Sequence, residues 1–167
     1  MTEAQDTSRT PHGIVVGVDG SPLSIEALRW AARMEPTVGG PITAIAAWHI
    51  PASAASFAEY PGVDWNPEED AGTVLRDALA EAFGDEPPAG LVARIVQGRP
   101  AQVLLDASRD ASMLVVGSRG LGGFMGLLLG SVSRACAEHA ACPVMVLHEP
   151  GDERAGEEAG AEELAHS

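Results

Sequence analysis

Five short apolar runs, separated by longer amphipathic or turn-rich segments, constrain this chain more than any other feature. They are Ile14-Val15-Val16-Gly17-Val18, Ile42-Thr43-Ala44-Ile45-Ala46-Ala47-Trp48, Leu91-Val92-Ala93-Arg94-Ile95-Val96, Met113-Leu114-Val115-Val116 and Val144-Met145-Val146-Leu147. Such runs are too short for a packed helix and read as strands buried on both faces, the third alternating less cleanly than the rest. The segments between them carry helical periodicity. Residues 22–34 place Leu23, Ala27, Ala31 and Met34 on one face, after a Ser21 N-cap and with Pro22 at the first helical position. The prolines and glycines at 36–41 are expected to end that helix. Residues 68–83 turn Val74, Leu75, Ala78, Leu79 and Ala82 inward, and their acidic start, Glu68-Glu69-Asp70, suits the positive end of a helix. A short helix after Gly98-Arg99-Pro100 carries Val103, Leu104 and Ala107, and a last one runs from Ser131 to about residue 140. This alternation predicts a three-layer α/β/α sandwich, an open, Rossmann-like, five-stranded parallel sheet with helices on both faces.

The 167 residues suit one domain, expected over 13–148. Residues 1–12 are polar and without periodicity and read as a loose tail. Residues 149–167 hold seven acids against one arginine and read as a disordered, solvating tail. Residues 49–67, with prolines 51, 61 and 67 beside Phe57, Tyr60 and Trp65, read as a long irregular loop, either a lid or an unordered connection.

Charge removes several functions. A net charge of -14 repels nucleic acid and anionic membranes, so neither is an expected partner. All ten basic residues are arginine, which excludes a P-loop lysine, a Schiff-base lysine and a lysine general base. No apolar run approaches the roughly 18 residues of a membrane span, and the polar start lacks an apolar signal region, so the cytoplasm is the expected compartment. Cys136 and Cys142 lack ligand-like spacing and read as reduced, buried thiols rather than a disulfide. The histidines at 12, 49, 139, 148 and 166 are scattered, and no metal site is expected.

One stretch carries chemistry. The run ending at Val116 passes into Gly117-Ser118-Arg119-Gly120, then nine residues, then Gly130-Ser131 at a helix start. Glycines tolerate positive φ and close approach of backbone N–H groups, and a helix N-terminus offers unsatisfied N–H groups and a positive dipole end. From Ala111 to Ala137 there is no Asp or Glu, while Arg119 and Arg134 are present. The stretch therefore reads as an anion site, for a nucleotide phosphate above all, with packing glycines as the other reading. The glycines at 120, 122 and 126 do not form G-x-G-x-x-G. In a parallel sheet, Asp19, Trp48-His49 and Gly117 all fall at the carboxyl ends of strands, where ligands bind.

The chain resembles the universal stress proteins, in particular their ATP-binding branch. The resemblance rests on the complete spacing Gly117-x2-Gly120-x9-Gly130-Ser131, on Ile14-Val15-Val16-Gly17-Val18-Asp19-Gly20-Ser21, on Val96-Gln97-Gly98-Arg99-Pro100-Ala101 and on Cys142-Pro143-Val144-Met145-Val146. It covers about residues 13–148. The resemblance implies an adenine nucleotide (ATP, ADP or AMP, with or without Mg²⁺) as ligand. It implies that Asp19 contacts the adenosine end and that Val116 and Gly117 flank the ribose. Arg119, Gly120, Gly130, Ser131 and Val132 match its phosphate-binding positions. His49 falls where a residue just after the second strand lines the adenine pocket through its backbone, with Ala47 or Trp48 as the other matches. A Cβ on Gly117 is expected to obstruct the ligand. The implied function is a nucleotide-responsive regulator in stress response rather than a vigorous enzyme. The rivals are a slow ATPase and a dimeric interaction module that binds no nucleotide. An exposed edge at Val144–Leu147 invites pairing with a second copy, and the resemblance likewise implies a homodimer through that strand.

Overall fold

The computed structural model describes residues 13–54, 65–121 and 128–149. The expectations for 1–12, for the middle of the long loop at 55–64, for the centre of the glycine loop at 122–127 and for the tail from 150 lie outside the described residues. The elements run β1 (Ile14–Gly17), α1 (Pro22–Val38), β2 (Ile42–Trp48), α2 (Pro67–Phe83), β3 (Val92–Gln97), α3 (Pro100–Ser108), β4 (Met113–Gly117), α4 (Ser131–His139) and β5 (Val144–Leu147). All pairings are parallel, in the order β3-β2-β1-β4-β5. β1 is central, with Val16 opposite both Ala44 and Val115. The chain leaves β1 toward β2 and β3, then returns to lay β4 and β5 on the other side. The connections after β1 and β4 therefore diverge, and a crevice opens between them at the carboxyl edge.

The strand alternation sorts side chains between two cores. Ile14, Val16 and Val18 face α1 and α2 and pack with Ile25, Leu28, Ala31, Leu75 and Ala78. Val15, Leu114 and Val116 face α3 and α4 and pack with Ile45, Val103, Leu104 and Cys136. Alanines at 27, 31, 44 and 46 are buried and leave room for the close approach of α1 to the sheet. Both cysteines are free, and burial, with a smaller contribution from Cys142, pushes the Cys136 thiol up to about 11. The edge strand β3 is the least covered and exposes Val92 and Ile95. No described helix is long and apolar enough to cross a membrane.

One helix departs from expectation. α1 does not stop at 34 but runs through Pro36 to Val38. Pro36 sits in the last turn and on the exposed face, where its missing N–H removes only one intrahelical bond. The stop comes from Gly39, whose φ of 77° suits glycine and whose N–H donates to Glu35 O at 2.8 Å. At the other end Ser21 caps as expected, its Oγ accepting from Ser24 N at 3.2 Å. α2 starts at Pro67, with Asn66 Oδ1 accepting from Glu69 N at 3.3 Å.

Candidate functional site

At the carboxyl edge the strand ends and helix starts enclose a cavity of about 800 Å³, within the usual range for small-molecule sites. The end of β1 contributes Gly17, Val18 and Asp19, and the end of β2 contributes Ala46, Ala47 and Trp48. β4 contributes Val116 and Gly117, followed by Arg119, Gly120 and Leu121. The opening of α4 brings Gly130, Ser131, Val132 and Ser133. Eight of the nine residues singled out in the sequence therefore line one cavity: Asp19, Val116, Gly117, Arg119, Gly120, Gly130, Ser131 and Val132. His49 is exposed and is not among the lining residues. Along β2 the wall is formed one to four positions upstream of it, by Ile45, Ala46, Ala47 and Trp48.

The two ends of the glycine stretch are stitched together at Ser118. Its carbonyl accepts from Gly130 N at 2.6 Å and from Ser133 Oγ at 2.7 Å, while its own N–H donates to Leu147 O at 2.7 Å. This holds the start of α4 beside the end of β4 whatever the intervening chain does. None of Gly117, Gly120 and Gly130 has a positive φ; Gly130 is extended, with φ -72° and ψ 170°. The first two serve close approach instead. A Cβ on Gly120 would collide with Asp19 Oδ2, and one on Gly117 would lie 2.7 Å from Leu23 Cβ. A Cβ on Gly117 also strikes the first turn of α1, so the missing side chain lets helix and strand pack as well as lining the cavity.

Asp19 is a tie within this frame. Its Oδ1 accepts from Ser21 N at 3.0 Å and its Oδ2 from Leu121 N at 3.1 Å, which fastens the end of β1 to the glycine stretch. Arg119 is largely covered, its side chain 22% exposed, and its guanidinium lies 3.4 Å from Glu149 Oε2.

The four helix N-termini meet at this edge but are finished differently. α1 and α2 have side-chain caps in Ser21 and Asn66. α3 and α4 begin at Arg99 and Gly130 with no side-chain cap bond. The first-turn N–H groups of α4 thus stand at the cavity without a capping oxygen, and no acidic side chain lies in that turn. An anion set there gains backbone donors, the dipole and the Ser131 hydroxyl.

Sequence reasoning missed the wall opposite α4. Trp65, Pro67, Asp70, Ala71 and Val74, from the start of α2, line the cavity with Trp48. A signal existed, since every helix following a parallel strand begins at the carboxyl edge. The Asn66-Pro67 start of α2 therefore puts its first turns at the site.

An open parallel α/β sheet with a cavity at its strand ends, walled by an uncapped helix start, defines the class of open α/β folds, in which ligands sit beyond the carboxyl ends of the strands. More narrowly, the model of the universal stress protein family matches residues 12–148, and the chain belongs to that family. A universal stress protein of Mycobacterium tuberculosis is 36% identical over 137 residues, which cover 81% of this chain and 45% of the relative. The chain thus spans about half the length of the curated relatives it matches. A universal stress protein crystallised in complex with cAMP is 25% identical, with TM-score 0.61, over 83% of this chain and 98% of that one. A family member from Arabidopsis thaliana with AMP bound shares the fold with TM-score 0.53 at 24% identity, over 86% of this chain and 95% of that one.

Proposed function

We propose that this chain is an adenine-nucleotide-binding regulator of the cytoplasm. It takes AMP, ADP or ATP, the last with Mg²⁺ carried on its phosphates, at the carboxyl edge of the sheet. The observation that carries the reading is the coincidence of the Gly117-x2-Gly120-x9-Gly130-Ser131 spacing with one wall of the 800 Å³ cavity, where α4 opens without a cap. The complexes of family members with cAMP and AMP support it. In this reading the phosphates lie on Gly130, Ser131 and Val132 beside Arg119, the ribose lies near Val116 and Gly117, and Asp19 meets the adenosine. Titration calorimetry with AMP, ADP and ATP, with and without Mg²⁺, is expected to give saturable binding of at least one. No heat and no saturation with all three overturns the reading.

Hydrolysis is not the expected work of the site. Both oxygens of Asp19 already accept backbone N–H bonds, and no lysine exists to meet transition-state charge. Phosphate release from ATP should be slow and no slower in Asp19→Ala, whereas robust release that depends on Asp19 makes the protein an ATPase. The half-buried edge strand β5 supports a homodimer through Val144–Leu147. Light scattering is expected to report a dimer, and a monomer of the full chain counts against that interface.

A further inference from the structure

The cavity is chemically lopsided. At one end stand the α4 N-terminus, Ser131 and Arg119, all suited to an anion. Other lining residues are apolar and aromatic, namely Trp48, Trp65, Ala71 and Val74, and the first turn of α2 adds the Asp70 carboxylate. That carboxylate forms no hydrogen bond or ion pair among the described residues, and Glu68 and Glu69 share its helical turn. A phosphate is repelled here. A flat ring is not, because indole faces offer stacking partners.

Resting on the adenine-nucleotide reading, we infer that the first turns of α2 read the base. Trp65 and Trp48 flank the purine, and Asp70 accepts a hydrogen bond from its 6-amino group. An ionised carboxylate only accepts, so it needs a donor on the base. The amino group of adenine is one. Hypoxanthine places a carbonyl oxygen at the same position and sets two acceptors against each other. Asp70 is therefore a specificity residue, while the tryptophans contribute affinity that ignores the ring substituent. Asp19, the other carboxylate lining the cavity, already accepts from Ser21 N and Leu121 N, which leaves Asp70 as the lining carboxylate without a partner among the described residues.

Calorimetric titrations of the full chain with AMP and IMP test this. The unaltered protein is expected to prefer AMP by about tenfold, a single charge-assisted hydrogen bond's worth. Asp70→Ala should bind the two ligands within about twofold of each other. Trp65→Ala should weaken both by about tenfold and leave their ratio unchanged. Asp70 and Trp65 are exposed, so both variants should fold, which unchanged circular dichroism spectra verify. Equal affinity of the unaltered protein for AMP and IMP, or a preference that survives Asp70→Ala, overturns the role of Asp70. Unchanged binding in Trp65→Ala overturns the stacking wall. Both results leave the nucleotide reading standing, whereas failure of the unaltered protein to bind any adenine nucleotide overturns the two together.

Discussion

Helices α2 and α4 begin at the same edge of the same sheet and face each other across the cavity, yet they are built in opposite ways. α2 is finished from within, with an Asn66 cap, Pro67 in the first turn and three acids that complement its dipole. α4 has a glycine at its cap, no acid in its first turn and only nine residues. A capped helix contributes stability by itself. An uncapped one leaves its N–H groups for something outside the chain and must be held by packing. For α4 that packing comes from Cys136 in the core and from the Ser133–Ser118 bond. The difference separates scaffold from site more sharply than any single residue does.

Giving α4 a cap of its own should produce the largest effect. Gly130 has dihedrals open to any residue, and the nearest atom to an added Cβ is Ser118 O at 3.4 Å. Gly130→Asp is therefore expected to fold and to raise the melting temperature by about 2–4 °C, as a good N-cap does in a chain of this size. It should also weaken AMP binding by about a hundredfold or more, because a carboxylate then occupies the place proposed for the phosphate. Calorimetry and thermal melts on one sample check both. Retained affinity would erase the distinction drawn between the two helices.

The packing that replaces the cap can be probed by pH. With Cys136 raised from 9.0 to about 11, the unfolded chain ionises first as pH climbs. The stability that the buried thiol contributes is thus complete below about pH 9 and is lost as pH rises toward 11, by about 1–3 kcal/mol. Denaturant midpoints against pH should fall across this window, and Cys136→Ala should flatten that limb after an initial loss of stability.

On the other side of the comparison, Asn66→Ala should destabilise by about 1 kcal/mol, seen as a lower urea midpoint with unchanged slope. It should alter phosphate affinity little, since α2 lies at the far end of the cavity. The smallest effect is expected from Glu149→Gln. Its exposed pairing with Arg119 contributes at most about 1 kcal/mol, and removing its negative charge from beside the candidate anion site should tighten AMP binding by about twofold. A looser complex would mean that Glu149 positions Arg119 rather than competing for it.

The layers of the fold were legible because strand and helix periods differ and the apolar runs are short. The strand order follows less directly, from how crossovers pack, and the end of α1 was misjudged for a local reason. Pro36 is a strong stop signal, but a proline in a last, exposed turn costs little, and Gly39 is the true terminator. Asp19, Gly120, Gly130 and Ser131 were legible as parts of the cavity wall because glycine spacing and strand ends are properties of the chain itself. Trp65 and Asp70 were legible only in part: the Asn66-Pro67 helix start sets them at the carboxyl edge, but their place in the cavity wall depends on how α2 folds back over β2. The packing role of Gly117 was not legible, since its neighbour Leu23 lies on another element.

The parallel arrangement has one more consequence, in time rather than in structure. Two uncapped helix starts present together about one unit of positive charge at the rim, on a molecule whose net charge is -14. A small anion therefore meets opposite fields on its way in. It is repelled while distant and drawn in only within about a Debye length, some 8–10 Å at ordinary ionic strength. Added salt screens the outer field more than the inner one. Arrival at the cavity should accordingly quicken with ionic strength, a dependence opposite in sign to that of a binder steered by its surface charge.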